Sequence, residues 1–381
     1  MNDSFKMIAK TFFGLEEVLK AELCDLGAQK VECGKRMVSF YGDKGFMYKA
    51  NLCLRTALKI LIPIYSFDAS SYDELYDKLY KYDWTKHMGI SNTFLFNSVV
   101  SGNIFRHSLY VSQKAKDAVV DQFVSNNNNR PNVDLKHPDF RFHIHIRNNK
   151  CTLLIDSSGE SLHKRGYRLE ADIAPINEVL AAGIIYLTGW DKSTDFLDPM
   201  CGSGTFLIEA CMISSQIPAN LNKGEFGFEN WKNWDENLFN LIRESKLKKV
   251  IKPQINFVGY DISASALQKA TKNINEAGLQ NIIKIKNQDF FESKNTSDDL
   301  FIIINPPYGK RLTGQINDLY KSIGDTLKNN YLDSNAWIIS SNFEGIKNIG
   351  LKSQTKIKLL NGKLESRLIN FPIYKGSKKV R

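Results

Sequence analysis

The apolar positions of this chain fall into two different rhythms. Near the start, F-K-M-I-A-K-T alternates like a half-buried strand, and F-G-L-E-E-V-L-K-A-E-L-C-D-L-G then repeats at helical spacing before a glycine stop. From about residue 66 the pattern continues with Y-D-E-L-Y-D-K-L-Y as a helix, F-L-F-N-S-V-V-S as a strand and Y-V-S-Q-K-A-K-D-A-V-V-D-Q-F-V as a second helix. F-R-F-H-I-H-I and C-T-L-L-I-D flank R-N-N-K, which predicts a hairpin closing this unit. Between them, N-N-N-N-R-P at 126–131 reads as an exposed loop.

The second rhythm begins after L-H-K-R-G-Y-R at 162–168. A helix, A-P-I-N-E-V-L-A-A-G-I-I-Y-L, precedes short apolar strands at T-D-F-L-D, I-N-F-V-G-Y-D, I-I-K-I-K-N-Q-D, L-F-I-I-I-N and A-W-I-I-S-S, with helical patterns between most of them. Such alternation predicts a doubly wound parallel sheet. Residues 216–250, with W-K-N-W, are expected to form an insertion or long connection. Asn361 and Gly362 stand between two final strand patterns, a type I′ hairpin signal, so the sheet is expected to finish antiparallel.

Composition narrows the class. The 381 residues are long enough for two or three domains, and no apolar run approaches the roughly 18–20 residues of a membrane span. The first residues mix charges with isolated apolar positions and carry no secretory pattern, so a cytoplasmic address is expected. A formal charge of +10 fits a polyanionic partner, but it is spread along the chain and fits a solvated surface equally well. The six cysteines form no C-x-x-C pair, which argues against a zinc ribbon. All six histidines lie in the first 163 residues, so chemistry in the second half works without imidazole. Ser-His-Asp, Cys-His and H-E-x-x-H mechanisms are thereby excluded there, and no metal site is expected. His143 and His145 share a strand face, which ordinary packing explains.

Polar residues gather at the carboxyl ends of the expected parallel strands, where such sheets bind ligands. The first strand runs into D-P-M-C-G-S-G-T, in which Gly202 and Gly204 let the backbone approach a ligand before a helix begins. A dinucleotide fingerprint would place glycine at 207, where Leu207 stands. The second strand ends at Asp261, able to accept both hydroxyls of a ribose. The third ends at Asp289 and Phe290, able to accept from an adenine amine and to cover its ring. Together these outline an adenosine-shaped site. The fourth strand ends N-P-P-Y, where the Asn305 amide and the Pro306 carbonyl can accept the hydrogens of an amine, Pro306 and Pro307 fix the backbone, and Tyr308 offers a face to an unstacked base.

D-P-M-C-G-S-G-T, G-Y-D-I-S, Q-D-F-F and N-P-P-Y-G, in that order, resemble the motifs of class I S-adenosylmethionine-dependent amino-methyltransferases. L-H-K-R-G-Y-R and A-P-I-N-E-V-L-A-A narrow the resemblance to the bacterial THUMP-domain RNA guanine-N2 methyltransferases, over essentially the whole chain. The resemblance implies a ferredoxin-like domain at 1–60, a THUMP RNA-binding domain at 61–160 and a Rossmann-like methyltransferase domain at 161–381. It implies S-adenosylmethionine as cofactor, held by Asp198, Cys201, Gly202, Gly204, Thr205, Asp261, Ile262, Asp289 and Phe290. Asn305, Pro306, Pro307 and Tyr308 would handle the target amine, with ribosomal RNA first and tRNA as the alternative substrate. Lys164, Arg165 and Arg168 lie where two domains should meet and Lys310 and Arg311 flank the N-P-P-Y loop, positions suited to RNA phosphate contacts; solvated linker charge or an interdomain anchor explains the first three equally well. The second methyltransferase domain of bifunctional family members lies outside the resemblance, so its separate modification is not expected. N-P-P-Y alone does not separate guanine-N2 from adenine-N6 or glutamine-N5 chemistry. A catalytically silent RNA-binding assembly factor is the alternative from a different class.

Overall fold

A computed structural model describes residues 4–169, 175–297, 299–307, 316–361 and 364–374. Eight strands of the first part form one sheet: β1 (Phe5–Lys10), β2 (Gln29–Gly34), β3 (Met37–Gly42), β4 (Lys59–Asp68), β5 (Thr93–Ser101), β6 (Asn132–Val133), β7 (Phe140–Arg147) and β8 (Lys150–Asp156). Their spatial order is β2-β3-β1-β4-β8-β7-β5-β6. Residue 60, where the first expected domain ends, lies inside β4, which pairs with β1 on one side and β8 on the other. The alternation seen in the sequence has a physical meaning here. Met7, Ala9, Val38, Phe40, Ile60, Phe142, Ile144 and Leu153 all point to one face and pack under four helices, α1 (Glu16–Leu26), α2 (Lys44–Cys53), α3 (Tyr72–Tyr80) and α4 (Ser108–Asn127).

The glycine stop after α1 is real: Gly27 has φ 96° and its N–H reaches the carbonyls of Leu23 and Cys24. The asparagine run behaves differently from the expected loop. α4 continues through Asn127, and Asn128 closes it at φ 52°, a conformation asparagine tolerates better than most residues.

The second sheet contains β9 (Asp195–Asp198), β10 (Phe257–Asp261), β11 (Ile283–Asn287), β12 (Leu300–Ile304), β13 (Ser334–Ser340), β14 (Lys356–Asn361) and β15 (Leu364–Ile373), ordered β11-β10-β9-β12-β13-β15-β14. The first five are parallel, and β15 and β14 close the sheet antiparallel, as the final hairpin pattern predicts. Gly362 itself lies outside the described residues. Helices α5 (Glu178–Leu187), α6 (Thr205–Ser214), α7 (Glu236–Leu247), α8 (Ala264–Glu276), α9 (Ile316–Asn330) and α10 (Phe343–Lys347) alternate with these strands. Phe196, Phe257, Phe301 and Ile303 join one apolar cluster, while Leu197, Leu300, Ile302 and Ile304 join another, so both faces of this sheet are buried. That explains why its strands read as continuous apolar runs.

The 216–250 segment is more than a connection. Phe226, Phe228, Trp231, Trp234 and Phe239 join the core of the first sheet, with the Phe228 and Trp234 rings 4.6 and 5.2 Å from Tyr48 of α2. Lys44 pairs with Asp235 at 3.2 Å across the same contact. Among the described residues, no helix is long and apolar enough to cross a membrane.

Candidate active site

β9 is the first strand of its sheet, β10 lies on one side of it and β12 on the other. The direction of winding therefore reverses between β9 and β12, and a crevice opens at their carboxyl ends. It is a cleft of about 570 Å³, lined among others by Asp198, Cys201, Gly202, Thr205, Asp261, Ile262, Asp289, Phe290, Asn305, Pro306 and Pro307. Four sequence motifs spread over more than a hundred residues thus meet at one place.

The loop after β9 is held from β10. Cys201 N–H donates to the Tyr260 carbonyl at 2.9 Å, and Gly202 N–H donates to Asp261 Oδ2 at 2.9 Å. The other oxygen of Asp261 accepts from Ser263 N–H, also at 2.9 Å, so this carboxylate positions two loops at once. Gly202 and Gly204 have φ 51° and 81°, left-handed values that favour glycine, and nothing lies within 4 Å of the space a Gly202 side chain would fill. Gly204 is the cap of α6, whose first residue, Thr205, lines the cleft.

Asp198 is 1% exposed, and burial, reinforced by the neighbouring Asp261 carboxylate, raises its pKa to about 8. A buried carboxyl of this kind favours a positively charged group beside it. Cys201 is buried, and the same burial with Asp198 and Asp261 nearby keeps its thiol well above the usual range, so it is neutral packing against β10. Ile262 is 74% exposed at the rim. Asp289 caps a short 3₁₀ turn by accepting from Phe291 N–H at 2.8 Å.

Phe290 lines the cleft and, at 2% exposed with its ring 5.2 Å from that of Tyr331, also joins the core beneath the site. The half-buried Phe291 is a second aromatic at the wall, and no pattern in the sequence distinguished the two.

Arg165 is not available to RNA. It is 1% exposed, ion-paired to Glu209 at 3.4 Å, and donates to the Leu162 carbonyl and Asn220 Oδ1 at 2.8 and 3.1 Å. It also donates to the Arg55 carbonyl, tying the linker to both halves of the molecule. Arg168 is likewise committed inward, pairing with buried Glu178 at 2.9 Å and donating to Thr205 Oγ1 and the Ile176 carbonyl, each at 2.9 Å. Lys164 alone of the three is exposed, paired with Glu160 at 2.9 Å. Tyr308, Lys310 and Arg311 lie outside the described residues.

Sequence reasoning also missed Asn273 of α8. Its side chain donates to the Ser203 carbonyl at 3.1 Å and accepts from Leu169 N–H at 3.0 Å, joining the linker to the glycine loop. Its partners are 70 and 104 residues away, so no local signal existed. His143 pairs with Asp156 at 3.4 Å, and among the described residues no group of three metal-ligating side chains occurs.

A two-faced parallel sheet with an antiparallel end, and a glycine loop opposite an N-P-P strand end, define a Rossmann-like methyltransferase fold. A family model described as an RMKL-like methyltransferase domain matches residues 165–370, a THUMP domain model matches 69–156, and an RlmL ferredoxin-like domain model matches 6–61. The chain belongs to this RMKL-like methyltransferase family. It is 35% identical over 377 residues to a ribosomal RNA large subunit methyltransferase K/L of Desulfotalea psychrophila, covering 96% of this chain and 52% of that protein. The chain thus spans about half the length of the K/L relatives it matches. It is 32% identical to a Synechocystis protein provisionally named an RNA methyltransferase, with 95% of each chain covered. Among solved structures, SMU.472, a methyltransferase candidate crystallised with SAH, superposes with a TM-score of 0.86 at 30% identity, covering 99% of this chain and 100% of that one.

Proposed function

We propose that the chain is a cytoplasmic S-adenosylmethionine-dependent methyltransferase that modifies the exocyclic N2 amine of a guanosine in large-subunit ribosomal RNA. Its working parts are a ferredoxin-like unit at 1–60, a THUMP unit at 61–160 and the catalytic unit at 161–381. The observation that carries this reading is the convergence of the Asp198–Thr205 loop, Asp261, Asp289 and Asn305–Pro307 on one cleft of about 570 Å³, within the range of cofactor sites. Relatives matching this chain over nearly its whole length and named as large-subunit rRNA methyltransferases support the choice of RNA, as does the THUMP domain match.

The donor set fits the cofactor. Backbone N–H groups at the start of α6 suit a carboxylate, Asp261 suits ribose hydroxyls, Asp289 suits an amine, and the buried Asp198 carboxyl suits a cationic methionyl moiety. When bound, S-adenosylmethionine supplies an electrophilic methyl group. The protein contributes orientation: the Asn305 side-chain carbonyl and the Pro306 main-chain carbonyl accept the two amine hydrogens, aligning the nitrogen lone pair away from the ring's conjugation. Among the described residues no strong base stands at the site, and the proton of the methylated amine leaves to solvent.

Incubating the purified chain with methyl-labelled S-adenosylmethionine and unmodified large-subunit rRNA, then digesting to nucleosides, tests this. Label in N2-methylguanosine is expected. Label in N6-methyladenosine, or in a protein substrate instead of RNA, contradicts the assignment.

A further inference from the structure

We propose that the crevice where α1 and the end of α2 face α5, α6 and α7 is a binding site for a small phosphate-class oxyanion, such as inorganic phosphate or diphosphate. It shares no lining residue with the cofactor cleft and does not rest on the RNA reading above.

The crevice holds about 230 Å³ and is lined among others by Glu22, Arg55, Tyr186, Gln216, Lys246 and Lys249. Arg55 is its buried cation, 6% exposed. Its Nη2 donates to the Met212 carbonyl at 3.0 Å and to the Ile217 carbonyl, which fixes the guanidinium against the end of α6. Nη1 is buried and makes no hydrogen bond of good geometry. A charged donor held out of water is costly unless something accepts from it, and an oxyanion accepts best. Glu22 is committed elsewhere: its oxygens accept from the Arg55 and Thr56 N–H groups, each at 2.9 Å, and from Thr56 Oγ1. Among the described residues, no carboxylate, Asp25 at the crevice included, lies within 4 Å of the charged groups of Lys49, Arg55, Lys246 or Lys249.

The cations also crowd one another. Burial, then the positive fields of Lys246 and Lys249, lower the pKa of Lys49. Burial raises the pKa of the Cys53 thiol at the crevice wall, while Lys246, Arg55 and Lys49 all pull it down, so their fields meet there. Partial burial raises the pKa of Tyr186 to about 12 against the pull of Arg55, which leaves a neutral hydroxyl donor beside the guanidinium. An oxyanion seated among these groups relieves the repulsion, and a neutral or cationic ligand does not. The volume sets the size: it admits phosphate or diphosphate and falls below the roughly 300–1,000 Å³ of pockets for drug-sized ligands.

Isothermal titration calorimetry of the full chain, purified without phosphate, tests the site with inorganic phosphate and then diphosphate as probes. Saturable binding at a single site is expected, with diphosphate held more tightly. Lys246→Gln with Lys249→Gln should weaken it about tenfold or more. Lys246→Arg with Lys249→Arg should retain it, and Lys248→Gln, exposed and outside the crevice, should leave it unchanged. Lys246 is partly exposed and Lys249 fully so, and far-UV circular dichroism checks that the variants fold. Saturating S-adenosylmethionine should not displace the anion. Absence of saturable binding, displacement by S-adenosylmethionine, or undiminished affinity in the glutamine variant would overturn the site. Loss of labelled-RNA binding in that variant, with neither free anion bound by the wild type, would overturn it too and assign these lysines to RNA phosphates.

Discussion

The two sheets of this protein differ in how many faces they bury, and that difference decides where each can act. The second is covered on both sides, and Asp198, Asp261, Asp289 and Asn305 meet at the carboxyl ends of its strands. The first packs one face under four helices, and its other face carries no apolar cluster, mixing buried Leu61, Leu154 and Asp156 with exposed Val99, His145 and Arg147. A sheet covered on both faces concentrates function at its strand ends, a point suited to a small cofactor. The linker holds the two together through buried charge, which is the least tolerant part of the arrangement.

Breaking that linkage should have the largest effect. Arg165→Met leaves Glu209 buried without its cation, and a loss of about 3–5 kcal/mol is expected in urea unfolding. Asn305→Ala is expected to lower turnover by about 10²-fold or more with cofactor affinity nearly unchanged. Single-turnover rates and equilibrium binding separate the two, and full activity would remove Asn305 from its role. Gly204→Ala forces a side chain onto φ 81°, at a cost of about 1–2 kcal/mol in stability, read by the same unfolding experiment.

The smallest effect is one of pH. With its pKa near 8, Asp198 is mostly protonated at pH 7 in the free protein, and a bound cation favours the carboxylate. Binding of S-adenosylmethionine therefore releases a proton and tightens by about fivefold between pH 7 and pH 8. Calorimetry in buffers of different ionisation enthalpy reads the proton, and Asp198→Asn should abolish its release.

What the sequence disclosed follows the range of the interactions involved. The glycine loop and N-P-P were legible because a tight turn is specified by the residues that form it, and strand alternation placed both at carboxyl ends. Arg165 could not be told apart as anchor or RNA contact because its partners Glu209 and Asn220 lie 44 and 55 residues downstream. The aromatic cluster of 226–239 looked like an insertion because Tyr48, the ring it packs on, belongs to another domain. Phe290 and Phe291 are adjacent, and only packing against Tyr331 decides which is core.

The central claim is methyl transfer to guanine N2 in RNA. It is tested most directly by a nucleoside mass-spectrometric census of large-subunit rRNA, small-subunit rRNA and tRNA from cells with and without this gene. Loss of N2-methylguanosine from large-subunit rRNA alone is the predicted result. An unchanged RNA census, with N6-methyladenine missing from DNA or methylglutamine missing from a protein, would contradict it.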